Sequence, residues 1–305
     1  MVRMLSRSTV FLGFAILLAG VSGTVQATLN VFACEPEWAA LAQELGGDQL
    51  QIYSATTALQ DPHHIQARPS LIAQARKADL LVCTGAELEV GWLPLLLRRA
   101  GNAHIQPGQP GHFLAAEHVE MLEVPEKLDR SLGDIHASGN PHVHTDPRNI
   151  LVIADPLSER LKALDPDHAD HYQQRYRDFE RAWQQAMHDW SERAAVVKEA
   201  KIVVHHDFWS YLIDWLELNK IATLEPVPGV SPSTRHLAEV KQLLQQQPPV
   251  MIIDTGYMND RPVKWLSDQM GIPVVDLPAS VDFHNEQTLQ QWFGKLVELL
   301  REPLQ

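Results

Sequence analysis

The stretch DHADHYQQRYRDFERAWQQAMHDWSERAAVVK, residues 167–198, contains neither glycine nor proline. Large side chains recur in it at helical spacing, namely Tyr172, Tyr176, Phe179, Trp183, Met187 and Trp190. About 30 residues at 1.5 Å each predict a helix of roughly 45 Å, which is long enough to run along two lobes. Because an aromatic stripe of this kind is typical of core packing, we interpret the segment as a rigid helix that joins two halves of the chain.

On either side of this helix, apolar strands alternate with amphipathic helices, which is typical of βαβ units and parallel sheets. The predicted strands are 29–33, 51–54, 79–83 and 119–124 in the first half, and 201–204, 221–224, 250–253 and 273–275 in the second. The predicted helices are 36–45, 69–77, 87–99, 208–218, 233–246, 262–270 and 287–301. The sequence therefore predicts an α/β protein with two parallel-sheet lobes. Its predicted boundaries are an N-terminal lobe at 28–155, a linking backbone helix at 156–198 and a C-terminal lobe at 199–305.

The first 27 residues have the pattern of a cleavable export signal. Arg3 and Arg7 precede an apolar run at 10–18, and Val25-Gln26-Ala27 is a small-x-small cleavage site. A membrane anchor needs about 20 uninterrupted apolar residues, which this run does not provide. Since no cysteine stands at the cleavage point, a lipid-attached form is not indicated, and we expect cleavage after Ala27.

The charge of the chain is acidic. The formal net charge is −13, and removal of a leader with two arginines and no acids takes it to −15. Nucleic acid is excluded as a partner class, since its binders need a basic face. A cation is the more plausible cargo, although acidity alone often serves only solubility.

Histidines are clustered in three short segments, DPHH at 61–64, NPHVH at 140–144 and HHD at 205–207. Neutral imidazole is the commonest ligand for zinc and related ions. Two of the segments follow predicted strands, and ligands of open parallel sheets bind beyond the carboxyl ends of strands. Two facing sheets would bring these groups together, so we predict a metal site in the cleft between the lobes.

The chain has two cysteines, Cys34 and Cys83, each at the end of an apolar run. In an oxidising compartment they form a disulfide if their α-carbons lie within roughly 7 Å of each other. Thiolate ligation of a metal is the alternative, although no Cys-x-x-Cys spacing favours it.

Several segments resemble those of the zinc and manganese solute-binding proteins of ABC transporters. In chain order they are DPH at 61–63, RPS at 68–70, ADLLVCTG at 78–85, NPH at 140–142, DPRN at 146–149 and VVHHDFWSY at 203–211. The resemblance covers nearly the whole mature chain, in the order that the family has. It implies a periplasmic carrier, acting as a monomer, that captures Zn²⁺ between its lobes. The implied partners are an inner-membrane ABC permease with its ATPase and, as a further option, a periplasmic metallochaperone.

The resemblance places the metal ligands at His63, His142 and His206. Family members that bind zinc tend to have histidine in the third segment, whereas manganese binders tend to have glutamate. His206 therefore favours zinc, and three imidazoles with one carboxylate also suit tetrahedral zinc.

The fourth ligand is where this chain departs from the family. Relatives often supply a carboxylate from the loop after the last strand, but LPASVDF at 277–283 does not match their commoner aspartate-serine pattern. We predict Asp282, because it lies in the loop rather than in the strand. Asp276 is the second choice and His284 the third.

The remaining histidines have less specific interpretations. His64 is either a solvated neighbour of His63 or a residue that supports it, and His205 is the buried end of a strand. His144 replaces a tryptophan of the family and either assists capture or only stacks. Four others are predicted to be surface loop residues, namely His104, His112, His118 and His136. The alternative is that one loop, at 132–144, is a mobile arm that first catches metal.

Other functions compete with transport. His142-x-His144-x-Asp146 resembles the start of a metallo-hydrolase motif, but Pro147 occupies the place of the expected histidine and no His-Glu-x-x-His occurs. We therefore predict that the protein is not an enzyme and that it contains no catalytic residues. A manganese-binding homologue, a metal-dependent adhesin and a metallochaperone remain as alternatives.

Overall fold

The computed structural model describes residues 28–126 and 136–305. The predicted export signal at 1–27 and part of the predicted loop at 132–144 lie outside the described residues. Within the two described ranges, none of the helices combines the length and apolar character that a bilayer crossing requires.

The first sheet has four parallel strands, numbered here in chain order. Across the sheet they are β2 (Leu50–Ser54), β1 (Leu29–Ala33), β3 (Leu80–Cys83) and β4 (His112–Leu114). The helices of this part are α1 (Pro36–Gly46), α2 (Pro69–Lys77) and α3 (Leu93–Ala100). Each has a proline in its first turn. Backbone N–H groups in a first turn have no acceptor within the helix, so the N–H that proline lacks costs no hydrogen bond there.

The second sheet repeats this arrangement with the parallel order β6 (Asn219–Thr223), β5 (Lys201–Val204), β7 (Met251–Thr255) and β8 (Val274–Leu277). Its helices are α6 (Ser210–Leu216), α7 (Thr234–Gln246), α8 (Arg261–Met270) and α9 (Leu289–Arg301). A capping box between Thr288 and Gln291 fixes the start of α9. The prediction of two parallel-sheet α/β lobes is confirmed.

The long helix is also confirmed, with different ends. It is α5 (Ala169–Ala194), of 26 residues, and a separate helix, α4 (Pro147–Leu164), precedes it. Pro156, the predicted first residue of the linking helix, therefore lies in the interior of α4. The division at 28–155, 156–198 and 199–305 stays a prediction.

The buried face of α5 packs against helices of both halves, α1 and α4 in the first and α9 in the second. Trp183 donates a hydrogen bond from Nε1 to the carbonyl oxygen of Pro147, at 2.8 Å, and its ring lies 5.5 Å from that of Phe293 in α9. One hydrophobic core continues from the first sheet through this helix to the second sheet. The aromatic stripe is thus core packing, as the sequence predicts.

One predicted strand is wrong. Residues 119–124 form an irregular segment, and the fourth strand of the first sheet is the three-residue β4, which begins at His112, a residue predicted to lie in a surface loop. Gly111 permits this, because a Cβ there would meet the carbonyl oxygens of Asp79 at 2.5 Å and His104 at 2.6 Å. Residues 119–124 are held by other bonds, such as that from the Leu122 N–H to the Tyr211 hydroxyl oxygen.

Cys34 and Cys83 form a disulfide, with α-carbons 4.8 Å apart. The bridge joins the ends of β1 and β3, which are neighbours in the sheet. With the two sulfur atoms bonded to each other, thiolate ligation by this pair is excluded.

We expect the double substitution Cys34→Ala with Cys83→Ala to lower the free energy of unfolding by about 3 kcal/mol. The bridge spans a sequence separation of 49 residues, and its loss frees a long loop in the unfolded chain. Urea unfolding of the variant and the parent measures the difference. Reduction of the parent should give a similar loss, and an unchanged unfolding midpoint in both cases would contradict the prediction.

Candidate metal centre

The three histidines predicted as ligands lie where strands of both sheets end. His63 belongs to a short 3-10 turn in the connection between β2 and α2, and His206 follows β5 directly. His142 precedes the turn that leads into α4. In the first sheet β1 lies between β2 and β3, and in the second sheet β5 lies between β6 and β7. The second strand of each sheet is therefore added on one side of the first strand, and the third strand on the other side. Such a switch point is where open parallel sheets bind ligands.

The structure brings these three imidazoles together and adds a fourth. The ring centres of His63 and His142 are 5.7 Å apart, and those of His142 and His206 are 5.9 Å apart. His136 lies against His63, with 5.2 Å between ring centres and 3.1 Å between the two Nε2 atoms. We call these four side chains the histidine cluster. The sequence predicts that His136 is a surface loop residue, but it is half-buried and contacts His63.

Carboxylates hold two rings of the histidine cluster. Asp61 Oδ1 lies 2.7 Å from Nδ1 of His63, and Glu225 Oε2 lies 2.7 Å from Nδ1 of His206. Because an ionised carboxylate only accepts hydrogen bonds, each Nδ1 carries the proton and each Nε2 presents a lone pair. Carboxylate partners of this kind orient metal-binding imidazoles and raise their basicity. Burial by itself would raise the pKa of Asp61, but the hydrogen bonds from His63 lower it below its ordinary value.

His142 is the buried centre of the cluster. Its ring packs on Phe208 at 4.1 Å between ring centres, and its backbone N–H donates to Oδ1 of Asn140. Within the described residues, its buried Nδ1 has no hydrogen-bond partner. Burial, and then the nearby rings of His63 and His206, lower the pKa of His142 well below its ordinary value. The ring is therefore neutral at pH 7, which is the form that ligates a metal.

A hydrogen-bond network joins the segments that carry His142 and His206. The Asn140 side-chain amide donates to Oε2 of Glu123 at 2.8 Å, and the Ser210 hydroxyl donates to Oε1 of the same carboxylate at 2.9 Å. Asn140 lies two residues before His142, and Ser210 begins α6 just after His206. Glu123 thus ties together backbone from both halves beside the cluster.

Two further histidines lie close by, buried. Nδ1 of His144 is 3.3 Å from Oε1 of Glu37, outside hydrogen-bond geometry, and its Nε2 donates to the carbonyl oxygen of Ala279. His205 ends its strand with Nδ1 2.7 Å from Oδ1 of Asp254. Both side chains are about 3% exposed. His144 packs at the base of the cleft, and His205 is the buried strand end that the sequence predicts.

The predicted fourth ligand is not brought to the cluster. Asp282 is exposed, and its Oδ2 accepts a hydrogen bond from the side chain of Asn285 at 2.7 Å. Burial, and then the charge of Asp254, raise the pKa of Asp276, and His284 is exposed. Among the contacts of the described residues, none joins any of these three side chains to the histidine cluster.

The other loop histidines contact the first lobe. His118 stacks on Phe113 at 4.7 Å between ring centres, and His112 bonds a backbone carbonyl oxygen through Nδ1. His104 is exposed. The side chain of His64 is 70% exposed, which fits a solvated neighbour of the cluster.

Three members of the cluster, His136, His142 and His206, border a cavity of about 240 Å³ that is also lined by Glu123, Asn140 and Asp207. The Nε2 atoms of His63 and His136 are 3.1 Å apart, but no three members of the cluster have ligand atoms that all lie within 4.8 Å of one another. Across residues 28–126 and 136–305, the only three metal-binding side chains with ligand atoms all within 4.8 Å of one another are Cys34, Cys83 and Glu89. Since that group is occupied by the disulfide, the histidine cluster is the candidate site, and closing it on an ion requires small movements of its rings.

Sequence reasoning missed Glu225 and the role of Asp61. Glu225 follows Leu224, just beyond β6, so a search for polar residues at strand ends would have found it. Its contact with His206 depends on the pairing of β5 with β6. Asp61 lies in the quoted DPHH segment, and its bond to the ring two residues later is local.

The chain is similar to known proteins over most of its length. A family model described as zinc-uptake complex component A, periplasmic, matches residues 31–302. The manganese ABC transporter substrate-binding lipoprotein PsaA of Streptococcus anginosus is 24% identical over 278 residues, which cover 87% of this chain and 85% of that protein. The metal ABC transporter substrate-binding lipoprotein SloC of Streptococcus mutans is 20% identical over 254 residues, covering 82% of this chain and 80% of that protein.

Solved structures show the same fold. A crystal structure of ZnuA superposes with a TM-score of 0.74 at 18% identity, covering 90% of this chain and 97% of that one. The Mn-bound periplasmic metal binding protein of Candidatus Liberibacter asiaticus gives 0.70 at 18% identity, covering 90% and 100%. The chain therefore shares the two-lobed α/β fold of these proteins. The chain belongs to the zinc-uptake component A family, the extracytoplasmic substrate-binding proteins of metal ABC transporters.

Proposed function

We propose that this protein captures Zn²⁺ in the cleft between its lobes and delivers it to an ABC permease, with its ATPase, for import. The observation that carries the proposal is the convergence of His63, His142 and His206 from both halves of the chain. Carboxylates orient two of these rings, and the third is buried and neutral. Such a set can hold and release an ion, and the match to a family of transport components favours a carrier over a hydrolase.

Zinc is proposed over manganese because the donors are nitrogen atoms. Imidazole suits zinc, whereas manganese prefers carboxylate, carbonyl and water oxygens. The carboxylates of Asp61 and Glu225 are engaged by the histidine rings. The family model carries zinc in its description, while PsaA is named for manganese and SloC only for metal. Direct competition between the two ions therefore decides the cargo.

The experiment is equilibrium dialysis of the metal-stripped protein against Zn²⁺, followed by competition with Mn²⁺. We expect one Zn²⁺ per chain and no displacement by a large excess of Mn²⁺. Displacement by Mn²⁺ would assign the protein to the manganese carriers. Failure to retain any Zn²⁺ would overturn the proposal.

The location proposed for this carrier is the periplasm, after removal of residues 1–27 as an export signal. The relatives named above are called lipoproteins. Here the chain has only two cysteines, and both are in the disulfide, so neither is available to carry a lipid. We propose a soluble monomer that meets its permease at the membrane, with a metallochaperone as a further donor of the ion.

We expect zinc affinity to fall at least about tenfold between pH 7.5 and pH 5.5, because protons compete for ligand imidazoles as the pH drops through about 6.5. Burial lowers the pKa of His142, so this ring contributes little to the loss. Competition with a zinc chelator at the two pH values measures the change. Equal affinity at both would count against ligation by histidine.

A further inference from the structure

We propose that His136 supplies the fourth donor to the ion, so that the site is built from four imidazoles and no carboxylate. This inference rests on the proposed function, which names three histidine ligands, and it assigns the fourth. It replaces the sequence-based prediction of Asp282.

The spacing of His136 and His63 fits two ligands of one ion. Their Nε2 atoms are 3.1 Å apart. Two nitrogens at about 2.05 Å from a tetrahedral zinc are separated by roughly 3.3 Å. Nδ1 of His63 is bonded to Asp61, so its Nε2 is the atom that presents a lone pair. The pair therefore already has nearly the separation that a shared ion requires.

His136 also borders the same cavity as His142 and His206. That cavity is lined by His136, His142 and His206, together with Asn140. His136 is half-buried and His142 is buried, so His136 is the more accessible of these two cavity-lining rings.

The backbone after His136 is anchored, which fixes the position of its ring. The N–H and hydroxyl groups of Ser138 donate to the carboxylate of Glu87, at 3.1 and 3.0 Å. The N–H of Gly139 donates to the carbonyl oxygen of His136, and the N–H of Asn140 donates to that of Leu122. This turn holds His136 within reach of His63.

The carboxylates near the cluster have other partners. Asp61 and Glu225 are bonded to the Nδ1 atoms of His63 and His206. In the cavity lining, Glu123 accepts hydrogen bonds from Asn140 and Ser210, and Asp207 forms an ion pair with Lys220. An all-nitrogen donor set disfavours Mn²⁺, Mg²⁺ and Ca²⁺, which prefer oxygen, and leaves Zn²⁺, Co²⁺, Ni²⁺ and Cu²⁺ as the ions that fit. The choice of fourth ligand thus sets the class of cargo.

The test compares His136→Ala with Asp282→Ala in the otherwise unchanged protein. We expect His136→Ala to lower Zn²⁺ affinity at least about tenfold in chelator competition. It should also change the visible absorption of bound Co²⁺, because one nitrogen donor is lost. Asp282→Ala should leave both readouts as in the parent.

The inference is overturned if His136→Ala matches the parent in both readouts, or if Asp282→Ala causes the larger loss. Circular dichroism confirms that each variant is folded, as expected for substitutions at incompletely buried loop positions. If the parent itself binds neither Zn²⁺ nor Co²⁺, the proposed function fails as well. Binding by the parent with no effect of His136→Ala removes only the assignment of this ligand.

Discussion

Replacement of His63 by alanine should weaken Zn²⁺ binding by at least about 100-fold. Loss of a residue that merely supports a ligand typically costs 10–100-fold in metal affinity, and loss of the ligand itself should exceed that range. The ring of His63 lies between those of His142 and His136, at 5.7 and 5.2 Å. Its removal would therefore separate the ion from one donor and open the cluster to water. Chelator competition at pH 7.5 measures the affinity.

His64→Ala is the matched control for this variant. It removes the same side chain one position along the turn, at a site where the side chain is 70% exposed. We expect its affinity to remain within about threefold of the parent. If the two variants bind Zn²⁺ equally well, His63 is not a ligand. If His64→Ala has the larger effect, the residue assignment within this pair is reversed.

Replacement of Trp183 by alanine should lower the free energy of unfolding by about 3–5 kcal/mol, the range for large aromatic side chains in a core. Trp183 is fully buried, and its ring packs on Phe179 and Trp190 in α5 and on Phe293 in α9. The change also leaves the carbonyl oxygen of Pro147 without its hydrogen bond from the indole. Urea unfolding followed by circular dichroism measures the loss.

The control for Trp183→Ala is the exposed neighbour Gln184→Ala, which lies in the same helical turn. Alanine has slightly better helix propensity than glutamine, so this variant should be within about 0.5 kcal/mol of the parent. Equal stability of the two variants would show that the aromatic stripe does not join the lobes. The zinc affinity of folded Trp183→Ala separates an effect on stability from an effect on the site.

Much of the fold could be predicted because parallel strands buried on both faces appear in the sequence as continuous apolar runs. β1, β5 and β7 are of this kind. β4 is not, since its three residues stand among glycines and prolines, and only pairing with β3 makes them a strand. α4 was not predicted, and Pro156 in its interior is a residue that usually marks the end of a helix.

The candidate site also contains residues that the sequence indicates and residues that only the fold brings into place. His63, His142 and His206 could be singled out because they stand in short histidine segments, two of them beyond strand ends. Glu225 could have been found as a polar residue beyond a strand end, but its contact with His206 depends on the pairing of β5 with β6. The contact of His136 with His63 could not be predicted, because the two residues are 73 positions apart in the chain. Asp282 was chosen from its place in a loop, yet the side chain is exposed and bonded to Asn285.

The shared core around α5 determines how a cargo would enter and leave. Because apolar contacts continue from one sheet through this helix to the other, the walls of the cleft are in place before an ion arrives. Little binding free energy is then used to order the backbone, and preorganisation of this kind favours tight capture. Release of the ion is correspondingly disfavoured, because a stiff cleft does not open by itself. The force that separates the imidazoles would then have to come from the membrane partner.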